Sequence, residues 1–149
     1  MKVLLVSALL LFASALPAVA RIGDSETDLT KRYGKPVRST GEAIRSLTYA
    51  YDGWVITSDF VDGICARVSY AKPGEWTEET FEKLLSTNAG EAEWSDGGSP
   101  NLKKLMRTWT RHDGTTANWV VGCLSITSPR YAIAKAKSET EALMAATNT

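Results

Sequence analysis

Apolar and polar positions alternate with period two from Leu47 to Ala71, LTYAYDGWVITSDFVDGICARVSYA. Alternation of this kind predicts half-buried strands. Two Asp-Gly pairs, Asp52-Gly53 and Asp62-Gly63, divide the stretch into three. A two-residue hairpin loop needs positive φ at both central positions, which Gly adopts freely and Asp tolerates. The first strand sets Leu47, Tyr49 and Tyr51 against Thr48 and Ala50. The second sets Trp54, Ile56, Ser58 and Phe60 against Val55, Thr57, Asp59 and Val61. The third sets Ile64, Ala66, Val68 and Tyr70 against Cys65, Arg67 and Ser69. One face of this meander should meet helices and the other water.

Helical spacing appears on either side. Asp24 or Ser25 can cap a helix running to about Tyr33, with Ser25 and Asp28 three apart as in a capping box. Gly34 fits the left-handed position after the helix and Pro36 prevents its resumption. The polar segment from Lys35 to Glu42 reads as a loop. Thr77 can cap a second helix through about Asn88, with Glu78 and Glu79 favourably placed in its first turn. Trp76 and Phe81 are spaced as a hydrophobic staple, and Phe81, Leu84 and Leu85 form its apolar stripe. Gly90 closes it, and the link from Glu91 to Pro100 reads as a loop pinned by Trp94.

Beyond the link, Leu102–Arg111 and Thr116–Thr127 are predicted to form a long hairpin turning at His112 to Thr115. The second of these strands is apolar on both faces, which places it centrally in a sheet. Ser128-Pro129 then opens a final helix from about residue 129, since Pro is tolerated at the first helical position. Arg45-Ser46-Leu47-Thr48 before Asp52-Gly53 is echoed by Arg107-Thr108-Trp109-Thr110 before Asp113-Gly114. The expected fold is therefore α+β. It has two layers: an antiparallel sheet of about five strands, and short helices packed on one face. A duplicated helix-plus-sheet unit is one way to build it.

The N-terminus changes the picture. Met1-Lys2 is followed by an apolar run from Val3 to Leu16 and then by Ala18-Val19-Ala20. Short positive start, apolar run and small residues before a cut describe a secretory leader, with cleavage expected after Ala20. The run is shorter than the roughly 18 residues a membrane span needs, so no span is expected after cleavage. Residues 21–149 then form one domain. Lys+Arg and Asp+Glu both number 17; loss of Lys2 leaves a net charge of about −1. A near-neutral chain lacks the basic surface that nucleic-acid binding demands.

Leader, helix ending in Gly34-Lys35-Pro36, strand Tyr49-Ala50-Tyr51 and strand ending in Phe60-Val61-Asp62-Gly63 together resemble small exported bacterial domains. These are the SmpA/OmlA type (outer-membrane assembly accessory proteins) and the β-lactamase-inhibitor-like proteins. The resemblance covers residues 22–71. It implies a two-layer α+β protein that binds other proteins and carries no functional residue over. The chain lacks the lipid-accepting Cys of the first group.

Candidate chemistry is sparse. Cys65 and Cys123 are the two cysteines; in an oxidising compartment they could form a disulfide or stay as buried thiols. Their spacing fits neither a redox pair nor a zinc site. His112 is the single histidine and falls in a predicted turn. No phosphate loop, calcium loop or metal-binding motif is present, so no metal, cofactor or catalytic residue is expected. The five tryptophans, Trp54, Trp76, Trp94, Trp109 and Trp119, can serve as core filler or interface anchors. Trp109 shares a predicted face with Lys103, Leu105, Arg107 and Arg111. Trp109, Arg107, Arg111 and Lys103 could meet an anionic partner surface, or the basic stems could lie along the sheet edge. The function expected is a periplasmic or extracellular, non-enzymatic module that binds another envelope or secreted protein. A carboxylate-dependent hydrolase with a Trp-lined groove and a purely structural exported protein are the alternatives.

Overall fold

The computed structural model describes residues 20–98 and 100–147. The expected leader, residues 1–19, lies outside them. The elements run α1 (Glu26–Tyr33), β1 (Arg38–Thr40), β2 (Arg45–Tyr51), β3 (Trp54–Val61), β4 (Ile64–Ala71), α2 (Glu78–Thr87), β5 (Ser95–Asp96), β6 (Met106–Thr110), β7 (Thr116–Val120), β8 (Cys123–Thr127) and α3 (Pro129–Thr147), with a 3-10 turn at Pro100–Leu102. All eight strands form one antiparallel sheet in the order β1-β2-β3-β4-β8-β7-β6-β5.

Local chemistry explains the elements that were legible. Asp52 and Asp62 take φ of 49° and 51°, and the glycines after them 77° and 76°, the values two-residue hairpins require. Ser25 caps α1 in a full capping box with Asp28. Thr77 caps α2, accepting from the Thr80 N–H.

The expected fold is corrected in three respects. About five strands with helices on one face give way to a single eight-stranded sheet with helices on both faces, in which α1 with β1–β4 and α2 with β5–β8 are two helix-plus-four-strand units joined through β4 and β8. First, β1 and β5 are short edge strands of exposed polar residues. They carry no apolar alternation, so their segments read as loops. Second, the Thr116–Thr127 strand is two strands. Gly122, at φ 82°, turns the chain between Val120 and Cys123, which face each other across the turn. Ala117 and Trp119 are buried before the turn and Leu124 and Ile126 after it. Each strand has one apolar face, and the turn switches which parity is buried, so the run looked apolar on both. Third, the first predicted strand of that hairpin is shorter, beginning at Met106.

α1 and α2 cover one face. Leu29, Phe81, Leu84 and Leu85 pack there on Leu47, Tyr49, Ile56, Phe60, Val68, Tyr70, Leu124 and Ile126. α3 lies on the other face, against β3 and β4. Its Tyr131 ring takes the Arg67 guanidinium at 5.4 Å, and Arg67 pairs with Asp59 at 3.2 Å.

A bulge in β4 revises the predicted faces. Asp59 pairs with Arg67 but Phe60 with Cys65, so Ala66 is the extra residue. Cys65 therefore shares the core face with Phe60, while the Ala66 carbonyl accepts from the N–H and hydroxyl of Ser128. The two cysteines are free. Cys123 sits opposite Ala71, six residues along β4 and on the other face. At roughly 3.4 Å per residue that is about 20 Å, against the ~7 Å between Cα atoms that a disulfide tolerates. Burial raises the Cys65 thiol to about 12. We predict that a maleimide modifies Cys123 alone in the native protein and both cysteines in denaturant, counted by intact mass. Rapid native labelling of both would contradict the packing of β4.

Candidate functional site

The residues singled out around Trp109 are engaged within the chain. Trp109 is buried. The Arg107 guanidinium lies 4.7 Å from the ring centres of both Phe81 and Trp109, and pairs with Glu78 at 2.6 Å. Arg111 stacks on Trp94 at 5.4 Å and bonds to the Asn88 carbonyl and the Asp113 carboxylate. That contact holds Asp113 below the usual carboxylate range. Lys103 reaches Asp96 at 3.4 Å from a half-exposed position. These basic groups thus tie α2 and the loops to β6. His112 is exposed in its turn, and Trp119 is buried while Trp54, Trp76 and Trp94 pack partly buried on the core.

The most enclosed of the surface concavities among the described residues lies elsewhere on the helical face. A cleft of about 370 Å³ opens between the C-terminus of α1 and the first turns of α2, above the β2–β3 hairpin. Tyr33, Tyr51 and Trp54 supply aromatic faces, and Ile56, Tyr70 and Leu84 the apolar floor. Asp52, Glu79, Lys83, Thr77 and Thr80 supply polar groups. Tyr33 is fixed by the end of α1 and meets Tyr51 edge-on at 5.2 Å. Trp54 is held edge-on against Trp76 at 5.3 Å, with the Lys72 ammonium over its ring at 5.2 Å. The aromatic walls are therefore preset by their neighbours, which lowers the ordering cost of binding.

The inner end of the cleft is polar and closed. Tyr70 is fully buried and its hydroxyl donates to the Ala20 carbonyl while accepting from Asn88 Nδ2. Burial pushes the Tyr70 phenol well above its ordinary value. The Tyr33 phenol is also raised by burial, and a backbone hydrogen bond from Ala20 opposes the rise. Asn88 Oδ1 accepts the Ile22 N–H at 3.0 Å. The residues before α1 are thus laced to the end of α2. Asp24 receives the Arg21 N–H at 3.0 Å and the Arg32 guanidinium at 2.7 Å.

Among the described residues no group of three or more His, Cys, Asp or Glu could hold a metal ion, and no helix is long and apolar enough to cross a membrane. Of the cleft residues, Trp54 was singled out from the sequence. Tyr33, Tyr51, Thr80 and Lys83 were not, because they come from three elements, α1, β2 and α2, that only the fold brings together. The terminal Tyr of α1 and of β2, each at the end of an element, is the signal that was available.

No family model matches the chain, and no curated protein matches it. Among solved structures, an extracellular protein containing an SCP domain from Bacillus anthracis aligns with a TM-score of 0.47 and 13% identity, over 73% of this chain and 44% of that one. A cysteine-rich secretory protein from Staphylococcus aureus aligns with a TM-score of 0.48 and 9% identity, over 72% and 43%. The chain spans less than half the length of either, and neither match carries an activity, ligand or partner over to it.

Proposed function

We propose that this chain is an exported, non-enzymatic binding module, working in the periplasm or outside the cell, that holds an extended segment of another envelope or secreted protein in the aromatic cleft. The observation that carries this reading is the cleft itself: three aromatic faces locked in place, rimmed by hydroxyl, amine and carboxylate groups. Concave sites of this make-up, largely apolar with a few polar groups, suit binding. The leader-like N-terminus supports export, and the resemblance of residues 22–71 to exported accessory domains supports a protein ligand.

A hydrolase is the weaker reading. Asp52 and Glu79 do line the cleft, but both side chains are exposed. A carboxylate pair working as acid and base needs one partner kept neutral by burial.

The test is cross-linked recovery of the processed protein from its native envelope and medium fractions, in parallel with Trp54→Ala. We expect one stoichiometric protein partner, with at least tenfold weaker binding to the variant. Recovery of the wild type alone, or capture indifferent to Trp54→Ala, would remove the cleft from consideration.

A further inference from the structure

The cleft lies over the face of the sheet, not along its edge. Its sheet residues Tyr51, Trp54, Ile56 and Tyr70 come from β2, β3 and β4, and strands bond their neighbours sideways, in the plane of the sheet. An extended segment is held either as a strand added to a sheet edge or as a polyproline II helix in an aromatic-lined groove. A segment in this cleft has no strand edge to join, which leaves the second mode. The polyproline II helix makes no internal hydrogen bonds. Proline fixes its φ in advance and removes N–H groups that the cleft would otherwise have to satisfy.

The rings suit such a chain. Tyr51 and Trp54 are direct partners across the β2–β3 hairpin, so their Cα atoms are roughly 5 Å apart. Tyr33 meets Tyr51 and Trp76 meets Trp54, yet among the described residues no ring contact joins Tyr51 to Trp54. The two side chains therefore splay and leave a slot between them. Tyr51 is 40% exposed. Neither its hydroxyl nor the Trp54 indole N–H makes a hydrogen bond among the described residues. The indoles of Trp76 and Trp94, by contrast, donate to the carbonyls of Lys72 and Leu85. Two free donors beside a slot match a ligand whose backbone offers carbonyls and few N–H groups.

Charge divides the cleft. The Lys72 ammonium, outside the lining, lies 5.2 Å from the Trp54 ring centre. A second cation on that ring would be repelled, whereas a neutral pyrrolidine is not. The acidic groups stand apart from it in the lining: Asp52 at the hairpin turn and Glu79 in the first turn of α2. Neither has an ion pair or hydrogen bond among the described residues, and Lys83 is the one cation lining the cleft with them.

We propose that the segment held in the cleft is a proline-rich polyproline II stretch with a basic residue at one end. Proline rings fill the slot between Tyr51 and Trp54. The Tyr51 hydroxyl and the Trp54 N–H donate to carbonyls of the segment, and the basic residue meets Asp52 and Glu79. The proposal rests on the cleft as the binding surface and names the chemistry of what it holds.

The experiment titrates the exported protein with a hexaproline peptide ending in arginine. It is followed by the Trp54 indole N–H resonance, assigned through Trp54→Phe. We expect saturation below millimolar peptide and a shift of that resonance. Replacing alternate prolines with alanine should weaken binding at least tenfold. Tyr51→Phe removes one neutral hydrogen bond and should weaken it about threefold, with the unfolding midpoint unchanged. Glutamate in place of the terminal arginine should weaken it about threefold at low salt and have no effect at about 1 M salt, because the carboxylates are exposed. No saturation at millimolar peptide, or equal binding of the alanine-substituted peptide, overturns the proposal. So does a Trp54 shift given by chitotetraose and not by the peptide, which would make the rings a sugar platform. Equal binding of the arginine and glutamate peptides at low salt overturns the basic end. If a protein partner that depends on Trp54 is still captured when the peptide fails, the cleft reading stands without the proline chemistry; if neither depends on Trp54, both fall.

Discussion

Replacing Phe81 with alanine should lower the unfolding free energy by about 3–5 kcal/mol, the range for removing a buried aromatic ring from a packed core. Phe81 is the point at which α2 enters the sheet. Its ring meets Trp76 at 5.5 Å, Trp109 at 5.5 Å and Trp119 at 5.4 Å. The Arg107 guanidinium sits over it at 4.7 Å and over Trp109 at the same distance. Three indoles and a planar cation are stiff groups that cannot flow into the space a ring leaves, so the cavity persists and the cost falls at the upper end. The Arg107 side chain, nearly enclosed and paired with Glu78, also loses one of its two aromatic faces. Phe81→Leu refills part of the volume and should lose about half as much. Urea unfolding followed by tryptophan fluorescence checks both. A loss below about 1.5 kcal/mol for Phe81→Ala would mean that α2 is not seated on the sheet as described.

What could be read from the chain in advance was what short-range chemistry decides. Asp52-Gly53 and Asp62-Gly63 set hairpins because the residues themselves favour positive φ. Ser25 and Thr77 started helices because their hydroxyls take a backbone N–H. What could not be read depended on partners distant in sequence. Ala66 bulges out between Cys65 and Arg67, and that single extra residue moves Cys65 from the predicted wet face into the core. Gly122 looked like one glycine in an apolar strand, yet it is a turn that separates two strands with opposite buried parity. Arg107 was placed on a surface because it is charged. It lies between two aromatic rings because Glu78, 29 residues away, neutralises it there. The cleft was illegible for the same reason: Tyr33, Tyr51, Trp54 and Thr80 share no local pattern.

Replacing Asn88 with alanine should cost about 3 kcal/mol and loosen the N-terminal segment first. Asn88 is 4% exposed and each polar atom of its side chain is used. Oδ1 accepts the Ile22 N–H; Nδ2 donates to the Tyr70 hydroxyl and to the Leu84 carbonyl, both at 3.0 Å. The backbone carbonyl takes Arg111. One residue at the end of α2 therefore joins the chain's entry, the sheet and the β6–β7 turn. Alanine leaves the Ile22 N–H without its acceptor and Tyr70 without its donor, at roughly 1–3 kcal/mol for each group stranded, and opens a small cavity as well. The loss should not be uniform. Arg111 keeps its backbone acceptor in the variant, so the β6–β7 end should hold, while the Ile22 and Gly23 amides should exchange with solvent at least tenfold faster than in the wild type. Hydrogen exchange by mass spectrometry separates the two ends in one experiment. Equal acceleration at both ends would show that Asn88 acts through helix stability alone. If neither end changes, and the unfolding midpoint moves by less than the equivalent of 1 kcal/mol, the buried amide carries no weight in the fold and the lacing of the N-terminus to α2 is wrong.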